Sequence, residues 1–75
     1  MMNYYKTAMF VPGKGQAWMY SEADENLKVY RTLTHIPLTN ETECIPDPVV
    51  KILFMPERLM PATEEEFLSL WKDPA

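Results

Sequence analysis

LKVYRTLTHI, residues 27–36, can be wound as a helix or drawn out as a strand, and that choice decides the fold. A helix would begin at Ser21 as N-cap, with Glu22, Asp24 and Glu25 near its positive end and Ala23, Leu27, Tyr30 and Thr34 along one face. Against it stand Val29, Thr32, Thr34 and Ile36, whose β-branched side chains lose rotamer freedom in a helix and pack well on a pleated surface. Leu27, Val29 and Leu33 also fit a period of two, broken only at Arg31. The stretch predicts a strand, with Ser21–Asn26 as the polar turn that leads into it.

Outward from this stretch, Tyr4–Val11 (YYKTAMFV) and Gln16–Tyr20 (QAWMY) read as strands separated by Pro12-Gly13-Lys14-Gly15, a strong turn signal, and so predict a hairpin. On the other side, Pro37–Pro48 reads as a connector, because Thr39, Asn40, Glu41, Thr42, Glu43 and Pro46-Asp47-Pro48 favour turns. Val49–Met55 (VVKILFM) is apolar on both faces except at Lys51, the pattern of an interior strand. Pro56 and Pro61 frame a turn that holds Glu57 and Arg58.

The tail predicts a helix of about ten residues, too short to stand alone. Thr63 and Glu66 form a capping-box pattern, and Glu64, Glu65 and Glu66 favour the positive end of the helix dipole. Phe67, Leu70 and Trp71 share a face that must dock on the sheet, Lys72 falls in the last turn, and Pro74 closes the segment. The fold class expected is α+β: a small antiparallel β-meander of about four strands, with one C-terminal α-helix packed on one face, forming a single domain over residues 1–75.

Composition narrows the function. Seven Lys and Arg against eleven Asp and Glu give a net charge of −4, too acidic for a strongly basic nucleic-acid binder. With 47% apolar and 24% charged residues the balance is globular, which argues against disorder. One Cys allows no internal disulfide, no apolar run reaches the ~20 residues of a membrane span, and the N-terminal residues lack a signal-peptide pattern. A cytoplasmic domain is expected. At this length, apolar burial and lost chain entropy nearly cancel. Six Met and nine aromatic residues are a generous apolar supply, so a homodimer or a protein partner is expected.

Charges segregate along the predicted elements. Lys6, Lys14, Lys28, Arg31 and Lys51 lie in predicted strands or the hairpin turn, and the predicted strands hold no acid. One short helix covers one sheet face, so the other is expected to present aromatic and basic side chains. The function expected is a non-catalytic interaction module, accessory or regulatory, acting through that face or an edge strand. Its candidate contacts are Trp18, Tyr20, Lys28, Tyr30 and Arg31. The alternative is a platform for single-stranded nucleic acid built from Tyr4, Lys6, Lys14, Trp18, Lys28 and Tyr30.

Enzymatic readings are weaker. Pro12-Gly13-Lys14-Gly15 lacks the Ser or Thr of a phosphate loop after its Lys and precedes a strand. His35 and Cys44 are single representatives of their types, and the remote alternative is a small thiol enzyme using them. Glu41 and Glu43 beside Cys44, however, are the reverse of the electropositive setting a nucleophilic thiol needs. No spacing suggests a metal or cofactor site.

Overall fold

The computed structural model describes residues 2–53 and 55–72. These form strands β1 (Asn3–Val11), β2 (Gly15–Ala23), β3 (Val29–Ile36), β4 (Glu41–Ile45) and β5 (Met60–Ala62), and helix α1 (Glu64–Leu70). The strands make one antiparallel sheet in the order β4-β3-β2-β1-β5. The α+β class with a C-terminal helix is as the sequence predicts, with five strands in place of about four.

The hairpin forms where the glycines allow it. Val11 is paired with Gly15, the Lys14 N–H donates to the Val11 carbonyl at 3.0 Å, and Gly13 and Gly15 take φ of 82° and 105°. Strand β2 continues past the expected Tyr20 end to Ala23, so Ser21 and Glu22 are strand residues rather than turn. The turn that follows is built by Asp24, whose Oδ1 accepts from the N–H groups of Asn26 and Lys28 at 2.9 Å each. Leu27 takes a left-handed φ of 65° there, and the strand read over 27–36 begins at Val29. A bulge between Glu22 and Ala23 leaves Tyr30 as the extra residue of β3.

Two expectations are overturned downstream. The connector read over 37–48 contains β4, which pairs with β3 from Thr32–Ile45 to Ile36–Glu41. Asn40, at φ 60°, supplies the left-handed residue that turns the chain back. Acids therefore do lie in strands: Glu22 in β2, and Glu41 and Glu43 in β4. The interior strand read over 49–55 does not form. Strand β4 already occupies the outer edge of β3, so only Lys28 is left to bridge Ile52. Val49 and Val50 stand 95% and 68% exposed. Phe54 lies outside the described residues, as does Pro74.

After Ile52 the chain crosses from the β3 side of the sheet to the β1 side. It passes through a 3-10 turn at Pro56–Arg58 and forms β5, in which Pro61 is accommodated because the strand is an edge. Helix α1 then covers one face. Leu33 and Phe67 are the largest side chains fully removed from solvent, joined by Tyr4 and Tyr20 and flanked by Trp18, Cys44, Ala62, Leu70 and Trp71. The helix is seven residues long, and Lys72 lies beyond it. Thr63 Oγ1 accepts from the Glu66 N–H at 3.0 Å as N-cap, and the Lys6 ammonium is the main group holding the Glu66 carboxyl below its ordinary value.

Candidate protein-interaction face

The register sorts every strand residue onto one of two faces. Tyr4, Lys6 and Ala8 stand across from Glu22, Tyr20 and Trp18, which in turn oppose Arg31, Leu33 and His35. This is the face under α1, and it collects most of the residues the sequence suggested for contact. Tyr4 and Tyr20 are buried there. Arg31 Nε and a terminal nitrogen reach Glu22 at 2.7 and 2.6 Å, and the Tyr4 hydroxyl donates to the same carboxylate at 2.8 Å. The Arg31 guanidinium also lies 5.1 Å from the Phe67 ring and 4.7 Å from that of Trp71, which stack on each other.

These contacts set the proton affinities. Hydrogen bonds from Arg31, opposed by burial and assisted by Tyr4, hold the Glu22 carboxyl below its ordinary value. Burial, and then the bond to Glu22, push the Tyr4 phenol up to about 12. Nearby, Lys6 Nζ reaches Glu66 at 3.1 Å and lies over the Trp18 ring at 5.4 Å, and the Tyr20 hydroxyl donates to the same Glu66 carboxylate at 3.3 Å.

The remaining candidates are elsewhere. Lys14, in the hairpin turn, is ion-paired with Glu41. Lys28 and Tyr30 sit together at the bulge, the ammonium 5.4 Å from the ring, and the Tyr30 hydroxyl donates to Asp24 at 3.0 Å. The structure thus divides the first candidate set between a helix-covered network and the bulge, and the second between these and the hairpin tip. Lys6, Lys14, Arg31 and Lys51 each neutralise a carboxylate of the same chain.

His35 and Cys44 are engaged separately. His35 Nδ1 is 2.8 Å from Thr42 Oγ1. The Cys44 sulfur accepts from the Lys72 N–H at 3.3 Å and lies 4.0 Å from the Leu70 carbonyl, fastening the end of α1 to β4. Among the described residues, no three His, Cys, Asp or Glu side chains gather as a metal site. No described helix is long and apolar enough to cross a membrane.

The opposite face has a different composition. On β1 it carries Tyr5, Thr7, Met9 and Val11, on β2 Ala17, Met19, Ser21 and Ala23, and on β3 Val29, Thr32, Thr34 and Ile36. None of these is charged, while β4 adds Glu43 and Glu41 beside Thr34 and Ile36, and Ala17, Ser21, Ala23, Val29 and Ile36 are buried within the chain. One end of the face is roofed by the 46–53 segment, held by Pro48, which is buried, and by backbone bonds from Val29 to Lys51 (2.7 Å) and from Leu53 to Leu27 (2.8 Å). Between roof and sheet runs a trough of about 500 Å³, lined by Tyr5, Thr7, Met19, Thr32, Val50 and Leu53 among others.

The sequence contained a signal for this face. Counting outward from Pro12–Lys14 in steps of two assigns Tyr5, Thr7, Met9, Ala17, Met19 and Ser21 to one side, all uncharged, and Lys6 and Glu22 to the other. Set against protein-family models, curated proteins and solved structures, the chain has no match.

Proposed function

We propose that the chain is a non-catalytic protein-interaction module of accessory or regulatory type, acting in the cytoplasm through the uncharged β1–β3 part of the sheet face opposite the helix. The observation that carries this is the sorting of charge across the sheet. Lys6, Glu22 and Arg31 all point under the helix, and twelve positions on the other side of β1–β3 are uncharged. Five of the twelve are buried within the chain, and the remaining seven include Tyr5, Met9 and Met19, of the types enriched where interface centres lose charge. The single free Cys44 fits a reducing compartment.

The face expected to bind changes with the register. Aromatic and basic residues serve the core network, while Tyr5, Thr7, Met19 and the exposed Val49 and Val50 supply the contact surface. Affinity would come from desolvating these side chains, with Lys14, Glu41, Asp47 and Lys51 at the rim setting orientation.

A photo-crosslinking amino acid at Thr7, compared with one at Glu65 on the outer side of α1, tests this in the native host. Protein adducts formed from position 7 and absent from position 65 support the reading. If position 7 yields no protein adduct, the face is not an interaction surface and the proposal fails.

A further inference from the structure

Resting on that reading of the face, we infer that its partner is a second copy of this chain, docked face to face with the strand ends reversed. The face has two unlike ends. At one stands the ridge of the 46–53 segment, with Val49 and Val50 projecting and the trough behind it. At the other, near the hairpin turn, is a shallow bowl of about 540 Å³ lined by Met9, Val11, Thr34 and Ile36 and rimmed by Lys14, Glu41 and Glu43.

A two-fold axis lying in the interface makes each surface its own complement. Run parallel to the strands, such an axis would set ridge against ridge. Run across them, it lays each ridge over the other copy's bowl and brings Met9, which is partly exposed, toward the other copy's trough. The convex and concave ends then fill one another.

Charge agrees with this arrangement. Two chains of net charge −4 repel unless they meet where charge is absent or balanced, and the centre of this face carries none. At the rims, the Asp47–Lys51 pair on the ridge is neutral and brings Lys51 toward the acidic edge of the bowl.

Strands of nine, nine, eight, five and three residues make a face of roughly 500 Å². That is below the ~800 Å² per partner of a standard interface, so the contact needs the projecting ridge as well as the sheet. The monomer has reason to associate, since Leu33 and Phe67 are the only large side chains fully buried among its described residues.

Sedimentation equilibrium on the purified chain at micromolar concentration should give twice the chain mass of 8.8 kDa. Val50→Asp, at a side chain exposed in the monomer, should weaken association more than about thirtyfold. Leu68→Asp adds the same charge on the exposed side of α1 and should leave the mass doubled. In a Cys44→Ser background, chains carrying Val50→Cys should form mixed disulfides with chains carrying Met9→Cys and none among themselves. A monomeric wild-type chain, or equal behaviour of the two Asp variants, overturns the inference. Linkage of Val50→Cys chains to each other overturns the reversed orientation. A monomer that still crosslinks to another protein through position 7 would remove the second copy as partner and leave the interaction face standing.

Discussion

Replacing Glu22 by Gln removes one charge and almost no volume from the most enclosed ion pair among the described residues. Glu22 is 6% exposed and receives two bonds from Arg31 and one from Tyr4. Removing one partner of a fully buried ion pair costs about 3–5 kcal/mol. The Arg31 side chain keeps 29% of its surface in water and its place against Phe67 and Trp71, so the loss should be nearer ~2–3 kcal/mol. For a domain of this size that is a large share of the total, and it should lower Tm by roughly 10–20 °C.

Urea unfolding followed by Trp fluorescence measures the difference directly. The pH dependence identifies its source. Arg31 holds the folded-state pKa of Glu22 below the ordinary 4.5, so its contribution is present above that value and is lost as pH falls through the depressed one. The gap between wild type and Glu22→Gln should therefore close in acid, with the other carboxylates common to both proteins and cancelling. A loss under about 0.5 kcal/mol at neutral pH would place the pair among contacts of negligible worth. A gap that does not change with pH would mean that the substituted amide disturbs packing and that the ionic argument is wrong.

Three other outcomes are expected. Phe67→Ala, at a side chain with no exposure, should cost about 3–5 kcal/mol, and Trp71→Ala, half-buried, clearly less by the same urea titration. Thr63→Ala should cost about 1 kcal/mol through loss of the N-cap bond to Glu66, while Thr63→Ser should restore most of it; thermal melts would show both. Tyr4→Phe should flatten the alkaline limb of the stability profile. The wild-type phenol, pushed up to about 12 from an ordinary 10.0, contributes stability that is complete below the ordinary value and lost as pH rises through the raised one; stability of the two proteins measured across this window would show the difference.

Much of the fold was legible because the signals were local. Pro12-Gly13-Lys14-Gly15 turns the chain by backbone freedom that two glycines supply, whatever surrounds them. Thr63 and Glu66 start α1 with a bond that spans three residues, and the β-branched run from Val29 to Ile36 favoured a strand over the helical alternative. The binding candidates were less legible. Trp18, Tyr20 and Arg31 were expected on an open surface, but which side of the sheet is covered depends on where the final helix returns.

The sequence alone determined the elements whose free energy lies within a few neighbouring residues: the first hairpin, the third strand and the capped terminal helix. Only the tertiary structure decided between Glu41–Ile45 and Val49–Met55 for the place beside β3. Val49–Met55 has the stronger strand composition. A strand also needs a free edge, however, and the tight return at Asn40 delivers Glu41–Ile45 to that edge first along the chain, with the smaller loss of loop entropy. The displaced valines then become the exposed ridge from which the proposed interface is built.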